Sequence, residues 1–385
     1  MKSLYYRSQK ISDTAFVSIA MTTLAVLAVV QWCRNETPTA LRQQMIEAAT
    51  QTDASFAAIR HHRSELGHRM LSSQDPTQTG MLGPSMSLVT TLPGHLDAKQ
   101  TSINPNFAAV AVRLFHDAGV DPGDRVAIGM TGSFPALNIA VLQAARSMDL
   151  DVALVSSAAS SQFGANHPEM MWPDMERILF DEGLIGQRSL ATSLGGFRDA
   201  AVGMTDDTRS LLVDSVQRNR GVLLECESVA DSIDQRMAMF DRSENGRPVV
   251  AYINVGGGSA SVGGTKGNDA LGSGVILPTQ LTALSSEIDS VATRFLKRDI
   301  PVINMIEAVS LANRYGLAVQ PDVRPNVGEA NVYQASEYRR LWAATGILVV
   351  LMVTSLAVRP PRRWVAWIQR QKWWSAEEHQ PQWMV

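Results

Sequence analysis

The stretch VAIGMTGSFPALNIAVLQAA, Val126–Ala145, reads as a strand, a glycine-bearing turn and a helix. Val126, Ala127, Ile128 and Met130 make a short apolar run. Pro135 sits early in a segment that is then almost wholly apolar or small up to Ala145. Further apolar runs recur at 125–130 (RVAIGM), 151–157 (DVALVSS), 248–255 (PVVAYINV) and 301–305 (PVINM). Helical periodicity falls between and around them, over 106–119, 134–148, 170–184, 205–219, 228–240, 281–298 and 306–316. Strands alternating with helices predict an α/β domain, a mostly parallel sheet with helices on both faces. No internal repeat with a period of 20–50 residues is present.

In such a sheet, ligands bind beyond the carboxyl ends of the strands. Those ends carry Thr131, Gly132 and Ser133; Ser156 and Ser157; Asn254 with Gly256, Gly257 and Gly258; and Asn304. Hydroxyls and backbone amides suit a ligand, and the same small polar residues are ordinary loop formers, so both readings stand. Gly129-Met130-Thr131-Gly132 is not GxGxxG, so the dinucleotide fingerprint is missing. Ser133 fits a helix cap followed by Pro135; it also fits an anion site, or a nucleophile on a sharp turn. The elbow pattern G-x-S-x-G is not met, because Thr131 and Pro135 occupy its glycine positions. His167, Asp174 and Glu176 would complete an acid–base set with Ser133 if they converged on it; the alternative is a loop and a helix start. NVGGGSASVGGTKGN, Asn254–Asn268, is not a P-loop. Gly264 stands where the lysine belongs and Lys266 comes two residues late. A flexible lid over the strand ends is expected there. No HExxH or CxxC spacing occurs, and no metal or cofactor is expected.

Outside this domain, Ala15 to Cys33 and Leu341 to Val358 are uncharged and apolar, and at ~1.5 Å per residue each approaches the thickness of a hydrocarbon core. Lys2, Arg7 and Lys10 precede the first; Arg359, Arg362, Arg363, Arg370 and Lys372 follow the second. Basic residues stay on the cytoplasmic side. The expectation is a two-pass protein of the cytoplasmic membrane with both termini inside and the main domain outside. Its parts are a cytoplasmic start (1–14), a transmembrane helix (15–33), a juxtamembrane helix with a loop-rich lead-in (34–105), the extracytoplasmic α/β domain (106–340), a second transmembrane helix (341–358) and a basic, Trp-rich tail (359–385). Trp32, Trp342, Tyr5, Tyr6, Trp364 and Trp367 would sit at the interfaces. A cleaved signal peptide is the rival for the first segment, against a poor A-x-A site at Ala25 and Ala28. Cys33 and Cys226 supply no disulfide framework.

The charge divides unevenly. The chain holds 34 basic and 37 acidic residues; segments 1–34 and 341–385 hold 9 and 3 of them, leaving residues 35–340 near −9. A net-acidic domain is a poor general sink for nucleic acid.

Three phrases carry a resemblance: DPTQTGMLGPSMSLVTTLPGHLDAKQTSINPNFAAVAV (75–112), GDRVAIGMTGSFPALN (123–138) and SSAASSQFGANHPEMMWPDME (156–176). Together they resemble the poly-gamma-glutamate system protein family, most densely over 75–177 and onward through INVGGG (253–258). The resemblance implies a membrane accessory protein of poly-γ-glutamate (capsule or exopolymer) synthesis and export in bacteria. Membrane lipid, other membrane subunits and the polymer itself would be its partners. It carries over no catalytic residue, and the chain lacks the P-loop that cytoplasmic ligation of the polymer would use. Two other functions stay open: an external hydrolase or transferase of γ-glutamyl bonds, with Ser133 as nucleophile and His167 as base, and a membrane-anchored sensor of a small ligand.

Overall fold

The computed structural model describes residues 13–32, 35–243, 245–337 and 340–358. The expected cytoplasmic start, Cys33 and the basic tail lie outside them, apart from the first residues of α1. The chain divides into two compact units, Met1–Thr37 with Ala335–Val385, and Pro38–Gln334.

The first unit holds helix α1 (Asp13–Trp32), strand β1 (Asn35–Pro38), which pairs with the last strand, and the last helix. No residue of α1 is buried, and Phe16, Met21, Leu24 and Leu27 are all exposed. By length and composition α1 is apolar enough to cross a membrane, with mean hydropathy 1.9.

The second unit opens with α2 (Arg42–Glu65), whose Met45, Ala48, Ala49, Phe56 and Ile59 form its buried stripe. After a run of turns come α3 (Leu96–Ser102), α4 (Phe107–Asp117), β2 (Arg125–Thr131), α5 (Pro135–Ser147) and β3 (Asp151–Ser157). A small hairpin, β4 (Asn166–His167) with β5 (Met170–Met171), leads to α6 (Trp172–Asp181) and β6 (Ala191–Ser193). Then follow α7 (Asp206–Arg218), α8 (Val229–Asp241), β7 (Val249–Val255), α9 (Ser259–Val262), α10 (Gly264–Leu271) and β8 (Gly274–Ile276). The unit closes with α11 (Ala283–Ser286), α12 (Val291–Leu296), β9 (Val302–Met305) and α13 (Ala308–Tyr315). Beyond it lie β10 (Gln334–Glu337), the partner of β1, and α14 (Arg340–Val358). Within the first unit α14 lies against α1 at Gly346, where a Cβ would overlap Val26. The described apolar stretch of α14, Ala343–Ala357, is shorter than α1.

The main sheet runs β6-β3-β2-β7-β9-β8. Its first five strands are parallel, and β8 is antiparallel against β9. Numbered in chain order, the parallel strands lie 3-2-1-4-5, so the winding reverses between β2 and β7. Alternate residues explain why both faces are covered. Val126, Ile128 and Met130 enter one core with α2, α4, α5, α6 and α13; Ala127 and its neighbour Tyr252 enter the other with α8, α9 and α12. Each aliphatic side chain so buried contributes roughly 1.5–3 kcal/mol, and α5 alone buries Leu137, Ile139, Val141 and Leu142. Tyr252 stacks on Phe295 at 5.2 Å between ring centroids.

Two expectations need correction. The single helix expected over 281–298 is two, because Ser290 restarts the chain as an N-cap, its hydroxyl accepting from the Thr293 N–H at 3.1 Å. The stretch expected to lie over the strand ends does border a cavity there, and what needs correcting is only its form: it folds into α9 and α10, which turn about Gly263 and Gly264 at φ +87° and +64°. Strands β6 and β8 were not expected; at three residues each they are too short to show a period.

Candidate functional site

A cavity of about 520 Å³ lies outside the carboxyl ends of the parallel strands, across the reversal between β2 and β7. Thr131 and Ser133 reach it from β2, Ser157 and Ser161 from β3, Asp199 from beyond β6, and Gly257, Gly258 and Lys266 from beyond β7. The fourth wall is the turn-rich segment leading into α3, with Thr91, Gly94 and His95, together with Lys99 of α3 itself. That segment is tied to the loop after β3. The Thr91 N–H donates to the Ser160 carbonyl at 2.9 Å, and the Gly94 N–H to Gln162 Oε1 at 3.1 Å.

Of the ligand-binding residues expected from sequence, Thr131, Ser133, Ser157, Gly257 and Gly258 line this cavity. The others shape it from behind. Gly132 and Gly256 permit close approach: a Cβ on Gly132 would press on the Ala158 carbonyl at 2.9 Å, and one on Gly256 would overlap Thr131 Oγ1. Asn254 and Asn304 face each other across β7 and β9, fully buried, with Asn254 Nδ2 donating to Asn304 Oδ1 at 2.7 Å and to the Gly256 carbonyl at 2.7 Å. They hold the loop that bears Gly257 and Gly258. Ser156 points away into a buried cluster, where its hydroxyl lies 2.8 Å from Ser189 Oγ, whose one proton goes to Glu176 Oε1 at 2.6 Å.

His167 and Asp174 do not line the cavity with Ser133. Asp174 accepts from the Met171 N–H at 2.8 Å and from Arg218 Nε and Nη2 at 2.8 and 2.6 Å, so it caps α6 and ties it to α7. His167 lies against His68 in a tilted pair, ring centroids 3.7 Å apart and planes at 37°. Glu169 completes a group whose ligand atoms lie within 4.8 Å of one another. Burial, His68 and the buried Arg63 guanidinium lower the His167 pKa, in that order, and Nδ1 of His167 accepts the Glu169 N–H at 3.3 Å. A cationic neighbour and an occupied ring nitrogen make this a poor cation cradle.

No protein-family model matches the chain, and no curated protein or solved structure matches it either.

The chemistry of the cavity therefore stands on its own residues. The most unusual is Lys99, 2 % exposed at the cavity wall. Its amine donates to the Ser133 carbonyl and to Ser161 Oγ at 3.1 Å, and sits 3.8 Å from the centroid of the Phe134 ring. No carboxylate lies within ion-pair distance of it among the described residues. Desolvation lowers its pKa from 10.5 to about 7. Asp199, by contrast, is spent. It accepts from Arg236 Nη2 at 2.8 Å, Ser193 Oγ at 2.8 Å and Ser232 Oγ at 2.6 Å, all buried. The lining charge left to meet a ligand is thus basic and carried by exposed Lys266 at the rim, while the desolvated Lys99 amine at the wall gives up its proton readily.

Lys99, Ser161 and Asp199 were not singled out from sequence. Ser161 lies in the SSAASSQ run, where serine is abundant enough to hide it. Lys99 and Ser161 are 62 positions apart, and nothing in either neighbourhood announces their meeting.

Proposed function

We propose that this chain is a membrane-anchored accessory component of a poly-γ-glutamate synthesis and export system. In this reading α1 and α14 form a two-pass anchor with both termini in the cytoplasm. The unit Pro38–Gln334 works on the outer side, holding one end of the polymer in the cavity. The observation that carries the reading is the cavity itself: Gly257 and Gly258, the hydroxyl-bearing Thr131, Ser133 and Ser157, and two lysines line a space that can take a carboxylate-bearing chain end. The resemblance in residues 75–177 supports the polymer, and the exposed apolar surface of α1 supports the anchor. The net-acidic exterior of residues 35–340 repels the body of a polyanion while Lys266 at the cavity rim attracts one terminus, which favours release over retention. Lipid and other membrane subunits are the partners, and nucleic acid is not.

Deleting the gene should lower exported polymer and leave cytosolic ligation unchanged; normal export from the deletion strain refutes the proposal. A shift in melting temperature with a small acidic ligand, and none with γ-glutamyl oligomers, would replace the polymer with a sensed small molecule.

A further inference from the structure

We infer that Ser161 is a nucleophile and Lys99 its general base, so that the cavity cleaves or transfers the acyl group of an amide-linked, carboxylate-bearing substrate. The inference rests on the proposed function for its substrate, and on the geometry of two side chains for its chemistry.

Ser161 stands half-buried in the loop beyond β3, lining the cavity. Its backbone is held at both ends: its N–H donates to Ser133 Oγ at 3.1 Å, and its carbonyl accepts from Ser160 Oγ at 2.8 Å. Gly164 keeps this loop tight, since a Cβ there would overlap Ser160 Oγ and the Ser133 carbonyl oxygen. The hydroxyl is left to meet the Lys99 amine at 3.1 Å, inside the reach a base needs to take its proton.

A lysine serves as a base only when neutral. Here the amine is buried with no carboxylate partner among the described residues, and desolvation brings its pKa near neutrality. A neutral amine offers two N–H donors and one lone pair. The charged amine donates to both the Ser133 carbonyl and Ser161 Oγ; once neutral it keeps a donor on the carbonyl and turns its lone pair to the Ser161 hydroxyl. Ser133 is not the nucleophile in this arrangement. Its own hydroxyl accepts the Ser161 N–H, and Lys99 meets its carbonyl oxygen instead.

The steps balance. Ser161 Oγ bonds to the amide carbonyl carbon as its proton passes to Lys99 Nζ. Collapse of the tetrahedral species breaks the C–N bond, and the leaving amine takes that proton from Lys99. The serine ester is then opened by water, or by the amine of another chain, with Lys99 again taking a proton and returning it to Ser161. Lys266 at the rim supplies the positive charge that draws a carboxylate-bearing substrate toward the pair.

The test uses the full chain in detergent, a fluorophosphonate probe and γ-glutamyl oligomers. A probe adduct on Ser161, located by peptide mass spectrometry, is expected to form at a rate that climbs with pH through about 7. Ser161→Ala abolishes the adduct. Lys99→Met and Lys99→Arg each slow it on the order of 100-fold, with thermal melts confirming that the variants fold. No adduct on Ser161, or equal labelling in the Lys99 variants, overturns the pair. Oligomer binding without adduct or cleavage also removes the pair and leaves the proposed binding role standing. An adduct without oligomer binding keeps the pair and removes the polymer as its substrate.

Discussion

Replacing Lys99 by methionine isolates the electrostatics of the cavity wall, because the two side chains are similar in length and only one titrates. Folding moves the Lys99 pKa from 10.5 to about 7. One pKa unit is worth ~1.4 kcal/mol, so holding a proton on the buried amine costs the folded state roughly 5 kcal/mol below that lower value. Between about 7 and 10.5 the unfolded chain binds one more proton than the folded chain. Wild-type stability therefore rises with pH across that window, by ~1.4 kcal/mol per unit. Below it both states are protonated and the term is flat. Methionine removes the term and also loses the bonds to the Ser133 carbonyl and Ser161 Oγ. That loss is about 1–3 kcal/mol and independent of pH, so the slope, not the offset, reports the buried amine. Urea unfolding of the full chain in detergent can be followed by the fluorescence of Trp172, which is fully buried. The stability gap between variant and wild type should fall steadily from neutral pH to pH 9. Parallel stability curves over that range would refute a buried, desolvated Lys99.

Other perturbations test the surrounding frame. Arg236→Met leaves Asp199 charged and buried without its cation, which should cost about 3–5 kcal/mol in chemical denaturation; removing both partners, as Asp199→Leu with Arg236→Met, should cost less than the single change. Glu176 is fully buried and its pKa is raised, first by desolvation, so the folded state disfavours its charge and wild-type stability falls as pH rises above the ordinary carboxylate range. Glu176→Gln keeps an acceptor for Ser189 and should be the more stable at pH 7, with the gap closing as pH is lowered toward 4 in thermal melts. Gly164→Ala forces the loop away from Ser133 and should destabilise by about 1–3 kcal/mol, read as a lowered Tm. Leu24→Arg places a charge in the middle of α1 at about 2.5–3.5 kcal/mol of insertion cost, and more of the variant should appear in the soluble fraction after alkaline washing of membranes.

The fold was legible where the chain repeats one physical statement many times. Buried parallel strands need apolar residues on both faces, so β2, β3, β7 and β9 stand out as continuous runs. Long helices are as plain: α2 carries a buried stripe over several turns, and α5 is apolar or small nearly all round, buried without a break from Pro135 to Ala145. Three-residue strands say too little for that, and β6 and β8 take their pairing from their neighbours. The break at Ser290 was written in local capping chemistry, but within a run whose apolar spacing continued on either side. The site was half legible. Strand ends are polar in any such sheet, and Thr131, Ser133, Ser157, Gly257 and Gly258 do meet there. Asn254 and Asn304 look alike on paper and turn out to be a buried clamp, because the pairing register of β7 and β9 sets them side by side. Lys99 belongs to a segment with no strand or long helix to place it, and its meaning comes from burial that only the tertiary structure creates.

Hydrogen exchange of the full chain in detergent, with and without γ-glutamyl oligomer, tests the central claim most directly. A bound chain end should slow exchange in four stretches at once, residues 91–99, 131–134, 157–164 and 257–268, each of which contributes to the cavity lining. Protection confined to other parts of the unit Pro38–Gln334, or none at saturating oligomer, would contradict the account.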